Sequence, residues 1–270
     1  MNYEEVMNAV MEIIVKAQTE LPPDVVSALK KAYESEESEI AKRNLEVILE
    51  NIEIAKKSKL PICQDTGIPF FFVEIGRELS LDFDIKKAIA NAVRKLTPTI
   101  LRPNAVHPLT RKNSGDNTGI GVPVVNLDIV EGDRLRIAYM PKGAGSENMS
   151  QLRMFLPMEA DKIKKFVLET VARAMGMPCP PIIIGLGVGG SFDVSAKLAK
   201  KALLRSLDSM NEFELEILEA VNSLGIGPMG LGGKTTALAV LSELNHCHTA
   251  SLPVAVNIQC WANRRAEVIL

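Results

Sequence analysis

Four cysteines are the residues of this sequence best suited to chemistry. They are Cys63, Cys179, Cys247 and Cys260, and no two of them form a C-x-x-C pair. A zinc finger or zinc ribbon therefore has little support. Taken singly, each cysteine is also compatible with a buried core thiol, because free cysteine is among the most buried residue types. Any site that several of these thiols share must be assembled by the fold.

The neighbours of three cysteines indicate ends of structural elements. Cys63 follows a predicted helix and precedes a Gly-Pro turn, in KLPICQDTGIP, with an amide and an acid directly after it. Cys179 lies in MPCPP, where prolines restrict the backbone. Cys260 ends the alternating segment LPVAVNIQCW. Cys247 lies in a predicted helix-to-loop transition, NHCHTAS, and we assign it a structural role.

Three thiolates without a histidine at ligand spacing fit an iron–sulfur cluster better than zinc. A [4Fe–4S] cube held by three cysteines leaves one iron without a protein ligand. That iron is a Lewis acid, which could bind the hydroxyl and carboxylate of a 2-hydroxy acid and polarise the C–OH bond for elimination. In this interpretation Cys63 places the cluster, and Gln64 and Asp65 project toward the substrate.

A glycine motif, GLGVGG at 185–190, offers a different interpretation. It satisfies G-x-G-x-x-G, follows a predicted strand and precedes a helix, as a dinucleotide-binding fingerprint does. The fingerprint also needs a parallel strand after that helix, with an acid at its end. Here SFDVSAKLAKKALL is followed by a second predicted helix. A nicotinamide-dependent oxidoreductase and a simple tight turn both stay open as alternatives.

A second glycine-rich loop, GIGPMGLGGKTT, does not satisfy the P-loop pattern. Pro228 stands where a glycine is needed before Gly233, and counting from Gly227 puts Gly233 in the lysine position. We expect instead a backbone nest that could hold a carboxylate, or a close helix contact.

Composition excludes several classes of protein. The 270 residues are 47% hydrophobic and 24% charged, with a formal net charge of −2. These values are typical of a globular protein and lack the basic excess of a nucleic-acid-binding protein. No apolar run reaches the roughly 18 residues of a membrane span, and the acidic N-terminus is unlike a signal peptide. We expect a cytoplasmic protein with no nucleic-acid or membrane partner.

Hydrophobic periodicity predicts an α+β (mixed α/β) fold. Residues 1 to about 57 read as helices, with a helical face formed by Val6, Val10, Ile13, Ile14 and Ala17. A second helix should begin near Asp24, and a third should place Ile40, Leu45, Ile48 and Ile52 on one face. We expect one domain, 1–270, with this helical region packed on mixed β-sheet lobes and the cluster site at their junction.

Further elements are predicted in the remainder. FFFVEI reads as a strand and DIKKAIANAVRKL as a helix; LTPTILRPNAVHPLTRKNSGDNTG is a functional-loop candidate. VVNLDIV and RLRIAYM should form a hairpin around EGD, TALAVLSEL should be a helix, and LPVAVNIQCW should be the final strand. Arg264 and Arg265 are predicted to lie at a solvated end or in a subunit contact.

Six separated motifs together resemble a known family. PICQDTG, LRPNAVHPLTR, KGAGSEN, MPCPP, GIGPMGLGGKTT and HTASLPVAVNIQC, in this order, are similar to the class I (iron–sulfur) fumarate hydratase and tartrate dehydratase family. The resemblance covers essentially the whole chain and is to the α subunit of the two-subunit form. It implies a hydro-lyase with a [4Fe–4S] cluster on Cys63, Cys179 and Cys260. It implies reversible hydration of fumarate to (S)-malate in the tricarboxylic acid cycle, or dehydration of L(+)-tartrate to oxaloacetate.

The resemblance also implies roles for other residues. Gln64 and Asp65 match residues that contact the substrate, and Arg102 matches an arginine that binds a substrate carboxylate. Gly143 resembles a backbone contact to the substrate, and His248 resembles a histidine that lines the active site. We expect Asp65, with His248 nearby, to be catalytic.

A partner is implied as well. In the single-chain form a second domain supplies further substrate-binding residues and a proposed catalytic base, and this chain ends about where that domain begins. We therefore expect a β subunit, a small dicarboxylate substrate, and an α2β2 heterotetramer or an α homodimer. A non-enzymatic iron–sulfur sensor is the remaining alternative.

Overall fold

Three helices form the N-terminal region, as predicted. The computed structural model describes residues 1–270 and contains α1 (Tyr3–Thr19), α2 (Pro23–Ser35) and α3 (Glu39–Ser58). Asn2 and Glu5 cap the start of α1 reciprocally, and the predicted apolar face of α1 is buried. Ile40 of α3 is an exception, because its side chain is 61% exposed. It precedes Leu45 by five residues, so it projects from a different side of the helix.

The rest of the chain alternates strands and helices, which confirms the mixed α/β class. The strands are β1 (Ile68–Gly76), β2 (Val124–Val130), β3 (Leu135–Lys142), β4 (Gln151–Phe155), β5 (Ile182–Gly190), β6 (Ala237–Cys247), β7 (Leu252–Gln259) and β8 (Ala266–Ile269). The helices are α4 (Ile85–Leu96), α5 (Ala144–Glu147), α6 (Ile163–Ala174), α7 (Phe192–Ala202) and α8 (Glu212–Asn222). Short 3₁₀ segments cover Pro157–Lys162, Leu207–Ser209 and Pro228–Gly230.

The first sheet has the strand order β2-β1-β3-β8, so the predicted β2–β3 hairpin is wrong. Strand β1 lies between them, parallel to β2 and antiparallel to β3. The apolar run of β1 needs a hydrogen-bonding neighbour on each edge because it is largely buried. The connection between β2 and β3 therefore crosses the end of β1, where Gly76 N donates to Arg134 O (2.8 Å).

The second sheet has the strand order β4-β7-β5-β6. TALAVLSEL forms most of β6, parallel to β5, and not the predicted helix. A short apolar run that is buried on both faces has no periodicity that separates a strand from a helix. LPVAVNIQ forms β7, as predicted, but it is not the final strand, since β8 follows it and pairs with β3.

The chain divides into two compact units. Unit 1 comprises Met1–Pro22, Asn51–Ala144 and Arg264–Leu270, and its core is formed by α1, α4 and the first sheet. Unit 2 comprises Pro23–Glu50 and Gly145–Asn263, with a core formed by α6, α8 and the second sheet. None of the helices combines the length and the apolar character that a bilayer crossing requires.

Candidate active site

Cys63 lies in the short segment between α3 and β1 in unit 1. The preceding residue is fixed at both backbone polar groups: Ile62 N donates to Gln18 O (2.9 Å), and Asn51 Nδ2 donates to Ile62 O (3.0 Å). The thiol itself is half-buried. The backbone that carries Cys63 is thus held by α1 and α3 through hydrogen bonds that do not use the thiol.

Asp65 has a carboxylate whose two oxygens both accept backbone hydrogen bonds. Gly67 N donates to Oδ1 (3.0 Å) and Ala144 N donates to Oδ2 (2.7 Å). A Cβ placed on Gly143 would lie only 3.1 Å from Oδ2, so glycine there allows the close approach. The structure therefore brings together two predicted site residues, Asp65 and Gly143.

The side chain of Arg264 holds the turn that carries Asp65, a role that the sequence did not predict. Its side chain is buried, with Nη1 donating to Gln18 Oε1 (2.8 Å) and Nη2 donating to Asp65 O (2.9 Å). Gln18 Nε2 in turn donates to Thr66 O (2.9 Å). The prediction of a solvated end is therefore wrong for Arg264. Nothing in the local sequence signals this role, because its partners lie near the other end of the chain.

Tyr139 completes this buried group of polar side chains. Its hydroxyl accepts from Gln18 Nε2 (3.0 Å). Burial raises the pKa of Tyr139 to about 12, although the Gln18 hydrogen bond and the Arg264 charge lower it in part. Tyr139 is thus a neutral phenol at physiological pH, and its role is to position Gln18.

Arg102 begins the long loop after α4, and this loop docks on the Cys63 turn. Arg102 N and Asn104 Nδ2 donate to Thr66 Oγ1 (2.9 and 3.2 Å), and Arg102 Nη1 donates to Gln64 O (3.4 Å). Buried Asn117 fixes the loop from the other side, donating to Arg102 O (2.6 Å) and accepting from Asn104 N (2.7 Å). Three predicted site residues of unit 1, Gln64, Asp65 and Arg102, thus share one polar network.

Cys179 and Cys260 lie together in unit 2. Trp261 N donates to Cys179 O (3.3 Å), so the backbones at the two cysteines are neighbours. Met229 N donates to Pro180 O (2.8 Å), which ties the same segment to the second glycine-rich loop. Cys179 is exposed and has a left-handed φ of +56°. Non-glycine residues in this region often mark functional positions.

His248 lies at the opposite end of β7 from Cys260. It is exposed in the turn after β6, where its Nδ1 accepts from Ala250 N (3.1 Å). The eight residues of β7 at roughly 3.3 Å each separate the two by about 25 Å. Within unit 2 the structure therefore does not bring His248 to Cys260. Cys247 ends β6 near His248, at a strand end and not at the predicted helix-to-loop transition.

The donor set fits an iron–sulfur cluster chemically. None of the four cysteines is in a disulfide; Cys63 and Cys260 are half-buried and Cys179 is exposed. Accessible thiols of this kind are the ligands that such clusters use. No group of three or more His, Cys, Asp and Glu side chains is arranged to hold a single metal ion.

The glycines of GLGVGG serve the packing of α7 on β5. A Cβ at Gly185 would overlap the carbonyl oxygen of Ala199, and a Cβ at Gly187 would overlap that of Ser195. These two glycines lie within the strand, with the helix backbone against them. They therefore do not form an open loop that could bind the pyrophosphate of a dinucleotide. This argues against a nicotinamide-dependent oxidoreductase.

The GGKTT loop holds an internal carboxylate. Glu36 Oε2 accepts from Lys234 N (2.9 Å), and Glu36 Oε1 accepts from Ser38 N (3.1 Å). Burial raises the pKa of Glu36, but hydrogen bonds from several backbone N–H groups outweigh it and lower the pKa overall. The predicted nest thus binds a carboxylate of the protein itself.

Comparison with known proteins shows the family to which the chain belongs. The family model described as "Fumarate hydratase (Fumerase)" matches residues 7–269. A "Putative L(+)-tartrate dehydratase subunit alpha" of Methanocaldococcus jannaschii is 49% identical, over 97% of this chain and 96% of its own length. An L(+)-tartrate dehydratase subunit alpha of Escherichia coli O157:H7 is 34% identical, over 100% of this chain and 93% of its own length. A "Putative fumarate hydratase class I" of Geobacillus stearothermophilus is 38% identical over 98% of this chain, which spans 55% of that protein.

The chain therefore belongs to the fumarate hydratase family, and the resemblance of its six motifs is confirmed. Together with its relatives, this membership makes the chain a hydro-lyase. Two of these relatives, which the chain matches over nearly their full length, are named α subunits, and this implies a β subunit as partner.

Proposed function

We propose that this chain is the α subunit of a [4Fe–4S] hydro-lyase that reversibly hydrates fumarate to (S)-malate, completed by a separate β subunit. The observation that carries the proposal is the geometry of Asp65. Two backbone N–H groups fix its carboxylate, two residues from the Cys63 thiol. A positioned acid–base group beside a cluster ligand is what the addition of water to a double bond requires.

The proposed cluster ligands are Cys63, Cys179 and Cys260. Support for two of them comes from the hydrogen bond between Trp261 N and Cys179 O, which makes Cys179 and Cys260 neighbours. All three thiols are at least partly accessible. When bound, such a cluster supplies a Lewis-acidic iron that polarises the C–O bond at the substrate C2.

The residues of unit 1 would bind the substrate and move one proton. In the hydration direction, the oxygen of water bonds to C2 of the substrate and Asp65 accepts a proton from that water. In the dehydration direction, Asp65 returns the proton to the leaving oxygen. Arg102 is exposed, and its planar guanidinium can bind a substrate carboxylate through two parallel hydrogen bonds. Gln64 and the backbone at Gly143 would orient the substrate. A group of the β subunit exchanges the proton at C3.

We infer that His248 reaches the cluster site of a second α chain, because β7 separates it from Cys260 of its own chain. The proposed assembly is therefore α2β2. In it, the turn that carries His248 in each α chain contributes to the site of the other α chain.

Dehydration of L(+)-tartrate to oxaloacetate is the second candidate function. It is favoured by the names of two relatives, those of Methanocaldococcus jannaschii and Escherichia coli O157:H7, which this chain matches over nearly their full length. Fumarate is favoured by the family description and by the Geobacillus relative. The hydroxy acids of the two reactions, (S)-malate and L(+)-tartrate, differ by one hydroxyl group, and a few hydrogen bonds can discriminate between them.

The test is a substrate comparison with the assembled enzyme. The α chain is loaded anaerobically with iron and sulfide and mixed with the β subunit, and kcat/KM is measured for fumarate and for L(+)-tartrate. We expect fumarate to be preferred by about tenfold or more and α alone to be inactive with both. The opposite preference would establish the second candidate. A cluster-loaded complex that turns over neither substrate would contradict both.

A further inference from the structure

Large apolar side chains surround Cys179 at the surface of unit 2. Met175, Met177, Met229 and Leu231 are 54%, 58%, 38% and 59% exposed. We call these four residues the methionine patch. Single exposed apolar residues are common, but several around one functional cysteine indicate an interaction surface. Methionine suits such a surface because its flexible, polarisable side chain adapts to a partner.

The patch is built from two loops whose backbones are in contact. One loop follows α6 and the other is the glycine-rich loop at 227–233. Their backbones touch at Gly176 and Gly230, where a Cβ on Gly230 would lie 2.5 Å from Gly176 Cα. The hydrogen bond from Met229 N to Pro180 O joins the second loop to the cysteine segment.

The backbone of this surface is held in an unusual conformation. Met175, Cys179 and Met229 have φ values of +47°, +56° and +56°, and they are three of the six non-glycine residues in the chain with positive φ. Such conformations are strained and persist only where the surroundings enforce them. The methionine side chains are therefore presented by a fixed backbone around Cys179.

We propose that the methionine patch is the docking surface for the β subunit. This inference rests on the proposed function, in which Cys179 is a cluster ligand and the β subunit completes the site. A chain that reaches a substrate beside Cys179 must contact the residues around it. The relatives matched over nearly their full length are named α subunits, whereas the Geobacillus relative carries a further 45% of its length in the same chain. An apolar surface at the cluster site is what such a second polypeptide would cover.

Charged substitutions in the patch test this docking directly. Met177→Asp and Leu231→Asp are compared with wild type for the Kd of the complex with the β subunit, using cluster-loaded α chain. We expect the Kd to rise about tenfold or more, since burying an unpaired carboxylate in an apolar interface is costly. Met177→Gln, which keeps the side-chain shape without a charge, should show a smaller rise.

Two exposed apolar positions elsewhere in unit 2 provide matched controls. Met158 is 84% exposed and Leu244 is 66% exposed, and Met158→Asp and Leu244→Asp should leave the Kd unchanged. An unchanged Kd in the patch variants, or an equal rise in the controls, would overturn the inference. So would a loss of iron from the free patch variants, because the patch would then serve the cluster and not the partner.

Oxidative footprinting of wild type gives a second test that needs no variant. Oxidation of Met175 and Met177, read by mass spectrometry, should fall about fivefold or more when the β subunit is added, because a buried thioether is shielded from the oxidant. Met158 should stay equally reactive. Unchanged oxidation of the patch in a complex that is active would overturn the docking surface while leaving the proposed function intact; absence of cluster from wild type would instead contradict the proposed function.

Discussion

Asp65 is the residue on which the proposed chemistry depends most. Its two carboxylate oxygens accept from Gly67 N and Ala144 N. Asp65→Asn replaces one acceptor by an NH2 group that cannot take up a proton. We expect kcat of the complex to fall about 100-fold or more, with cluster content retained.

The matched control is Asp161→Asn, at an exposed aspartate in the 3₁₀ segment after β4. It should leave kcat unchanged. Wild-type turnover by a folded, cluster-loaded Asp65→Asn variant would remove Asp65 from the mechanism.

Arg264 acts on the site by holding the turn that carries Asp65. Two separate guanidinium nitrogens reach Gln18 Oε1 and Asp65 O, and lysine replaces them with a single ammonium nitrogen. We therefore expect one of these buried acceptors to lose its hydrogen bond in a lysine variant. We expect Arg264→Lys to lower the free energy of unfolding by about 2–4 kcal/mol, measured by urea denaturation.

Arg43→Lys is the control for Arg264, because Arg43 forms an exposed ion pair with Glu46 on α3. This change should cost less than about 0.5 kcal/mol. Equal losses in the two variants would show that the buried network does not contribute.

The elements were predictable where one face of each carries the apolar residues. Helices α1 and α4 read correctly because their apolar positions recur with the period of a helix. The buried strand β6 was wrongly predicted as a helix, since a segment covered on both faces has no alternation of apolar and polar residues. The order of β1, β2 and β3 was also out of reach, because neighbours along the chain are not always neighbours in a sheet.

Strand β5 and helix α7 pack so closely that only glycine fits between them. We expect Gly187→Ala to destabilise the protein by about 2–4 kcal/mol in chemical denaturation, because its Cβ would overlap the Ser195 carbonyl oxygen. Gly119→Ala, where a Cβ meets nothing within 4 Å, should change stability by less than about 1 kcal/mol. If the two variants unfold at the same denaturant concentration, the packing explanation of GLGVGG fails.

The loop at 227–235 should make stability depend on pH through Glu36. Hydrogen bonds lower the pKa of Glu36 in the folded state below its ordinary value of 4.5. Its stabilising contribution is therefore present above pH 4.5 and is lost as the pH falls through the lowered folded pKa. We expect Glu36→Gln to lose less stability than wild type between about pH 5 and pH 3, measured from denaturation midpoints. Parallel curves for the two proteins would contradict this role.

At the scale of the whole molecule, the sequence predicted which candidate residues lie close together better than it predicted the residues that support them. The motifs predicted that Asp65, Arg102 and Gly143 act together, and the structure places them in one unit with shared contacts or a common polar network. Arg264 was not predictable, because its contacts join positions almost the whole chain apart. His248 is a different case: the predicted strand LPVAVNIQCW already separates it from Cys260, and the expectation that it lies near Asp65 came from the resemblance alone.

Cluster loading is the measurement that tests the central claim most directly. Wild type and four single variants, Cys63→Ser, Cys179→Ser, Cys260→Ser and Cys247→Ser, are reconstituted anaerobically with iron and sulfide. Iron content and the visible absorption band are then recorded for each. We predict about four irons per chain in wild type and in Cys247→Ser, and loss of the cluster in the other three. Failure of wild type to bind iron and sulfide, or equal loading in all four variants, would contradict the three-thiolate site and the mechanism built on it.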